Sequence, residues 1–519
     1  MKVKRSRLVD LEFSRNKQNV INLSANTIAF AISLGVSFFV SPYVVKNLGA
    51  EANGFVGLAS SFTSYAALIK TALNSIGSRY IILAYNQNDF KRANKYYSSL
   101  FYGDLFLSVV FSALGIVCVW QLEHLINISP QLVADVKLLF TLIFANFILN
   151  TVATVFSSAP YIKNKIYLQS IRDIQCNLIR AFILVILFGV FRPKIFFLGF
   201  ATFVPGLVLI LYNIYYKMIL TPELRVSRES FSWTSIKELV SQGIWNSIAS
   251  VGSMLLTSLD LLITNLFISE SDMGILSVAK SMPSVIDGLG STMASVFFSA
   301  MMIDYANNDI EALAKTVKQS TMLIGAIVTI PLAFLISYGY EFYSLWQPTL
   351  DARQLQYLSV LTCCGFILYA GANSVGTIFT VTLHVKERSL AVLVSGVVSI
   401  CITLLLIQYT NLGIYAVAGV SSIVTTIRML FYIVPQGARY IGKKADTFIP
   451  VVLKALISTI VLCGVAWLEK RVVSCSTWGT LIFSAAVFAI TSLSVNMYVV
   501  MDKETRVSFI QSIKARIRR

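Results

Sequence analysis

Fourteen long runs of mainly apolar residues divide the sequence, and they limit what the chain can fold into. A helix needs about 20 mainly apolar residues to cross about 30 Å of hydrocarbon. The runs cover residues 20–45, 54–80, 97–120, 136–156, 174–191, 195–216, 243–268, 274–303, 319–339, 355–383, 389–407, 413–434, 448–468 and 478–501. The sequence therefore predicts an all-α integral membrane protein with fourteen transmembrane helices.

The composition excludes an ordinary soluble enzyme. Hydrophobic residues make up 56% of the chain and charged residues 13%, whereas soluble proteins average about 45–50% and about 25%. The first run is too long, and too soon followed by others, for a cleaved signal peptide. We therefore predict that the basic stretch before it, residues 1–19, is a cytoplasmic segment.

The formal net charge of +17 indicates topology more than a ligand. Lys and Arg are retained in the cytoplasmic loops of membrane proteins. With a cytoplasmic N-terminus, the inner segments carry 32 of the 42 basic residues and the outer ones seven, which gives net charges of +18 and −1. Both termini are then cytoplasmic. The basicity gives no reason to expect nucleic-acid binding, because no long soluble stretch carries such a module.

An internal repeat appears when the sequence is shifted by 220 residues. Residues 26–29, 54–59 and 85–89 then match 246–249, 274–279 and 305–309 without a gap. The shift equals six predicted spans, an even number, so the two copies have the same orientation. We predict two parallel-repeat lobes of six helices, followed by two appended helices.

These patterns give the predicted organisation of the chain. The segments are a cytoplasmic N-terminal segment (1–19), an N-lobe (20–216), a cytoplasmic linker (217–242), a C-lobe (243–434), helices 13 and 14 (435–501) and a basic cytoplasmic tail (502–519). A capping-box spacing at Ser235 and Glu238 predicts a surface helix in the linker. The tail fits either an interfacial basic helix or solvated disorder.

Several motifs resemble one transporter family. The first span ends in Pro42-Tyr43, the turn Leu48-Gly-Ala-Glu-Ala-Asn-Gly54 enters the second, and Asp260 lies in the middle of the seventh. With Ser-Asp-Met-Gly274 before the eighth span, the chain resembles the polysaccharide flippase family, Wzx-type O-antigen, capsule and exopolysaccharide flippases. That family belongs to the multidrug/oligosaccharidyl-lipid/polysaccharide (MOP) exporter superfamily.

The resemblance implies a function in the bacterial cytoplasmic membrane. It implies an alternating-access flippase for undecaprenyl-pyrophosphate-linked oligosaccharide, with membrane lipids, H⁺ or Na⁺ as coupling ion and polysaccharide polymerase machinery as partners. A multidrug or cation exporter and a lipid II flippase of the same superfamily stay open as alternatives. The drug antiporters typically have twelve helices, so helices 13 and 14 count against that branch.

Basic residues within or near the spans are candidate contacts for the pyrophosphate, because charge inside a membrane is costly and usually faces a cavity. The candidates are Lys70, Arg180, Lys280, Arg79 and Arg428. For each of them, snorkelling toward a membrane surface is the alternative interpretation.

Acidic residues within the spans are candidates for ion coupling. Asp260 and Asp287 are the two candidates, and a static ion pair is the alternative for Asp260. Lys280 and Asp287 stand about 10.5 Å apart along one helix, too far to pair directly. Asp104 is expected near the cytoplasmic start of the third span, in an interfacial position.

Enzyme, metal and cofactor signatures are not found. The sequence has two histidines and seven cysteines, which are scattered apart from the adjacent Cys363 and Cys364, so no metal site and no cofactor are predicted. Residues 437–443 resemble a phosphate-binding loop, but Lys444 replaces the required Ser or Thr. A membrane-embedded glycan enzyme lacks support. A cation exporter is disfavoured because three bases, Lys70, Arg180 and Lys280, accompany the three acids within the spans.

Overall fold

The structure, a computed structural model, describes residues 2–503 and 505–507, with side chains from residue 21 onward except at positions 23, 27, 242, 299, 369 and 370. All regular secondary structure in this part of the chain is helical. The chain divides into two compact units, Met1–Ser247 and Ile248–Arg519. Most of the basic tail, from residue 508, lies outside the described residues, so neither interpretation of it is tested.

The first unit is built from eight helices and the start of a ninth. They are α1 (Lys2–Leu48), α2 (Ala50–Asn86), α3 (Phe90–Trp120), α4 (Leu122–Leu125), α5 (Val133–Val152), α6 (Ala159–Ile162), α7 (Tyr167–Val190), α8 (Phe196–Leu220) and α9 (Trp233–Thr257). A 3₁₀ turn, Ala153–Ser158, joins α5 to α6. The helix predicted in the linker is the first part of α9, which continues into the seventh predicted span.

In the described part of the second unit, the end of α9 is followed by eleven further helices. They are α10 (Asp260–Phe267), α11 (Glu270–Ala279), α12 (Ser281–Ala306), α13 (Ile310–Trp346), α14 (Ala352–Cys363), α15 (Phe366–Val381), α16 (Val385–Tyr409), α17 (Ile414–Arg428), α18 (Val434–Tyr440), α19 (Ile449–Lys470) and α20 (Trp478–Val499). A π-helical turn, Met429–Ile433, lies between α17 and α18. The long helix α13 packs against α12, α14, α15, α19 and α20, and forms the centre of this unit.

Within the described residues, eleven helices are long and apolar enough to cross a membrane, or twelve if α9 and α10 count as one bent span. The sequence predicts fourteen, and the second and tenth predicted spans are the two that are not among these twelve. The second is α2, whose serines, threonines and Lys70 lower its hydropathy. The tenth is broken after Cys363 into α14 and α15, and both pieces are short.

The repeated sequence has the same local structure in both units. Asn88 and Asn308 adopt left-handed φ angles of 60° and 56°, a conformation that asparagine tolerates better than most residues. Asp89 and Asp309 then cap α3 and α13, each accepting a hydrogen bond at 2.9 Å from the backbone N–H three residues later. The 220-residue spacing is therefore present in the backbone as well as in the sequence.

The linker before α9 is hydrogen-bonded to the turn between α2 and α3. The Tyr85 hydroxyl donates to Glu223 at 2.8 Å, and Asn94 accepts from the backbone N–H of Arg225 at 2.7 Å. A hydrogen bond from its own backbone N–H and the one from Tyr85 lower the pKa of the Glu223 carboxyl. The linker is thus an ordered part of the first unit.

Candidate functional site

A polar cavity of about 610 Å³ lies within the second unit. Helices α9, α10, α12 and α14 to α17, with the π turn and Lys280 between α11 and α12, supply its walls. Hydroxyl and amide groups come from Ser253, Thr257, Ser284, Ser291, Thr362, Asn373, Thr377, Ser421, Ser422 and Thr425. Five charged side chains also line it, namely Asp260, Lys280, Asp287, Arg388 and Arg428. Three bases against two acids give this lining a net charge of +1.

Two of the predicted site residues form an ion pair in this cavity. Lys280 Nζ lies 2.7 Å from Asp260 Oδ2 and donates a second hydrogen bond, also 2.7 Å, to the Thr257 carbonyl. Asp260 begins α10 after a 42° bend, and Lys280 stands at the break between α11 and α12. Helix ends leave carbonyl groups without helical partners, so the Thr257 carbonyl is available to Lys280. The pair therefore connects two interrupted helices.

Asp287 faces the same cavity from α12 and is exposed there. The sequence excludes a direct pair between Asp287 and Lys280 because of their separation along the helix. The structure agrees, since Lys280 is paired with Asp260 instead. Asp260 and Asp287 thus have different surroundings, one neutralised by a lysine and the other open to the cavity.

Arg388 and Arg428 line the cavity from neighbouring helices. Arg388 lies in the first turn of α16, and Arg428 is the last residue of α17, immediately before the π turn. Sequence reasoning missed Arg388 because the predicted span begins at residue 389, which assigned this arginine to a loop. Its position one residue before a long apolar run was the available signal.

A second polar cluster lies in the first unit. Asn74 Nδ2 donates to Asp104 Oδ1 at 2.6 Å, and Lys70, one turn earlier on α2, interacts with the same carboxylate. Lys70 Nζ lies 5.9 Å from the centre of the Phe147 ring. The Asp104 side chain is fully buried within the protein. Helix α3 begins at Phe90, so Asp104 lies in the middle of that helix, and its interfacial position stays a prediction.

The other two predicted cations belong to the first unit and are not among the residues that line the polar cavity. Arg180 on α7 is half-buried, and its Nε atom has no hydrogen-bond partner among the described residues. Arg79, on the last turns of α2, is exposed. Lys70, Arg79 and Arg180 therefore belong to one unit, and Lys280 and Arg428 to the other.

Each unit also contains an apolar pocket. In the first unit, Phe62, Tyr65, Phe111, Phe144 and Phe147 are among the residues around a space of about 290 Å³. In the second unit, apolar side chains of α12, α13 and α20 line a pocket of about 310 Å³; Met282, Phe334 and Phe488 are among them. Helix α12 contributes to both this pocket and the polar cavity.

The described part of the chain contains no group of three or more His, Cys, Asp or Glu side chains arranged to hold a metal ion. The polar cavity is instead suited to bind a ligand through charge and hydrogen bonds, since arginine, lysine and hydroxyl groups favour phosphate and sugar oxygens.

The chain is similar to proteins of one family and one fold. The family model described as polysaccharide biosynthesis protein matches residues 47–343. The uncharacterized membrane protein EpsK of Bacillus subtilis (strain 168) is 26% identical over 477 residues, which cover 90% of this chain and 94% of EpsK.

Two solved structures show the fold. The lipid II flippase MurJ in an inward closed conformation has a TM-score of 0.65 at 15% identity, covering 91% of this chain and 98% of MurJ. An inward-facing multidrug resistance MATE family transporter of the MOP superfamily has a TM-score of 0.63 at 15% identity, covering 82% of this chain and 98% of that one. With its many apolar helices, the chain is a multi-pass protein of the bacterial cytoplasmic membrane. It belongs to the polysaccharide biosynthesis protein family and has the MOP transporter fold, in agreement with the resemblance found in the sequence.

Proposed function

We propose that this protein moves undecaprenyl-pyrophosphate-linked oligosaccharide repeat units across the cytoplasmic membrane by alternating access, coupled to a gradient of H⁺ or Na⁺. Membrane translocation is supported by the family and by the fold. The proposal includes fourteen transmembrane helices, cytoplasmic termini and two parallel six-helix lobes. It also includes delivery of the translocated unit to polysaccharide polymerase machinery.

The observation that carries this proposal is the polar cavity with its net positive lining. A pyrophosphate and several sugars cannot cross hydrocarbon unaided, because each polar group stripped of water costs several kcal/mol. Ten hydroxyl and amide side chains offer hydrogen bonds to sugars, and three cationic side chains offer charge-assisted bonds to phosphate.

The apolar pocket next to the cavity supports a lipid-linked substrate. Helix α12 presents Ser284 and Asp287 to the polar cavity and Val285 and Leu289 to the pocket. A molecule with a polar head and a hydrocarbon tail meets matching surroundings on two sides of one helix. Three basic groups in the cavity would repel a small cationic drug, so the exporter alternative is disfavoured.

Roles for individual residues follow as part of the proposal. Lys70, Arg180, Lys280, Arg79 and Arg428 are the candidate contacts for the pyrophosphate. Asp260 and Asp287 are the candidates for ion coupling, and Asp287 is the more accessible of the two from the cavity.

Reconstitution into proteoliposomes tests the function. Translocation of lipid-linked oligosaccharide is followed by its exposure to a membrane-impermeant glycosidase, with and without imposed H⁺ or Na⁺ gradients. We expect the protein to transport, Lys70→Ala and Asp260→Asn to lose most of the rate, and Lys46→Gln, at an exposed lysine that lines neither the polar cavity nor an apolar pocket, to transport normally.

Each part of the proposal has its own negative result. Absence of translocation by the unaltered protein would contradict the proposed function. Normal transport by folded Lys70→Ala would contradict the role of Lys70 as a phosphate contact. A rate insensitive to both gradients would contradict ion coupling.

A further inference from the structure

Arg388 is a half-buried cation in the first turn of α16, a helix long and apolar enough to span a membrane, and its charge is not balanced by an ion pair among the described residues. Among the described residues it forms no ion pair, and its hydrogen bond to Thr380 Oγ1 is long, at 3.5 Å. The two acids of the cavity lie elsewhere, Asp260 with Lys280 and Asp287 on α12. Such a charge is costly in a membrane protein unless a ligand or water compensates for it.

Arg428 brings a second guanidinium to the same end of the cavity. Helices α16 and α17 are consecutive, antiparallel neighbours, so the first turn of α16 and the last residue of α17 lie on the same side of the unit. Both arginines line the cavity, together with Asn373, Thr377 and Thr425. Arginine has a planar fork of donors that matches the oxygens of a phosphate group.

The backbone around this end of the cavity is specialised. The π-helical turn Met429–Ile433 follows Arg428 directly, and single π turns occur frequently at functional sites. A Cβ atom placed on Gly376 would lie 3.8 Å from the guanidinium carbon of Arg388, so the glycine leaves space beside that group.

We infer that Arg388 and Arg428 form an anion site for the diphosphate group at one end of the polar cavity, with the hydroxyl-lined remainder left for sugars. This inference rests on the proposed function and deepens it by naming where the diphosphate binds. It assigns a role to Arg388, which sequence reasoning placed in a loop. The Lys280 ammonium, already neutralised by Asp260, contributes less to this site.

The test measures binding of inorganic pyrophosphate to the purified full-length protein by calorimetry. We expect Arg388→Gln to weaken binding by about tenfold or more, the loss expected when a charge-assisted phosphate contact is removed. Arg388→Lys should give an intermediate affinity, because a lysine cannot bind bidentately. Lys386→Gln is the matched control, since this exposed lysine on the same helical turn does not line the cavity, and its affinity should be unchanged.

Gly376→Val is the second variant in case Arg388→Gln does not fold. It keeps every charge but fills the space beside the guanidinium, so it should also weaken binding. Unchanged pyrophosphate affinity in Arg388→Gln or Gly376→Val, or no binding by the unaltered protein, would overturn the inference.

The translocation assay on the same preparations separates the inference from the proposed function. If the unaltered protein transports and Arg388→Gln transports and binds equally well, the inference fails and the function stands. If pyrophosphate binding depends on Arg388 but no lipid-linked sugar is translocated, the site stands and the proposed function fails.

Discussion

At the scale of single residues, the Asp260–Lys280 pair shows how a membrane protein can keep charges inside. The side chains are 10% and 18% exposed, so little water reaches them. Removing one partner of a buried pair leaves an uncompensated charge and costs about 3–5 kcal/mol, whereas removing both costs much less.

We therefore predict that Lys280→Met lowers the thermal stability in detergent more than the double variant Lys280→Met/Asp260→Asn does. Stability is measured as Tm by a thiol-reactive or light-scattering assay that tolerates detergent. A double variant less stable than Lys280→Met alone would contradict this account of the pair.

The same scale shows what the sequence can predict about the site. Lys280, Asp260, Asp287 and Arg428 are recognisable as charges within apolar runs, and all four line one cavity. Their pairing could not be predicted, because it depends on the bend before Asp260 and the break at Lys280. Arg388 was missed because span boundaries are uncertain by a few residues.

At the scale of helices, α9 and α16 approach each other through glycine. A Cβ on Gly252 would lie 2.5 Å from the backbone nitrogen of Leu393, and a Cβ on Gly396 would lie 2.7 Å from the Gly252 carbonyl oxygen. Small residues allow this close approach of membrane helices.

We predict that Gly252→Val destabilises the protein by about 1–3 kcal/mol, the usual cost of overpacking, or prevents folding. Gly464→Val is the control, since a Cβ there meets no atom within 4 Å. The Tm and the yield of monodisperse protein in gel filtration measure the effect. Equal behaviour of the two variants would show that the helices are not held this closely.

Helix α20 is held to α13 and α19 by a buried polar network. Asn496 Nδ2 donates to the Ala326 carbonyl at 2.6 Å and to Thr329 Oγ1 at 3.0 Å, and Asn496 Oδ1 accepts from Ser458 Oγ at 2.5 Å. All these groups lie away from solvent.

We predict that Asn496→Leu lowers stability by about 1–2 kcal/mol, because buried polar groups lose their partner. Ser494→Ala, an exposed position on the same helix whose hydroxyl bonds only to its own helix, should have no effect. Proteolysis of the C-terminal helices, compared between the two variants, is the measurement. Equal protection from protease would show that apolar packing alone holds α20 in place.

At the scale of the whole molecule, the apolar runs predict an all-helical membrane protein, and the structure and the family agree. The sequence could not predict that single spans are interrupted, because a helix break at Ser258 or Cys363 leaves the apolar run continuous. Hydropathy measures the solvent that surrounds a segment, whereas a bend is determined by its neighbours. Most of the intramembrane chemistry described above lies at such interruptions.

The two matching turns allow the same substitution to be tested at two equivalent positions of one molecule. Asp89 and Asp309 cap equivalent helices at equal distances, so Asp89→Ala and Asp309→Ala remove the same hydrogen bond from different surroundings. We expect each to cost about 1 kcal/mol, the usual value of such a cap, with the Tm of each variant as the measurement. Strongly unequal losses would contradict the local nature of the cap. Because one polypeptide carries both copies, a larger loss of stability at one turn measures how far the surroundings of the two turns have diverged.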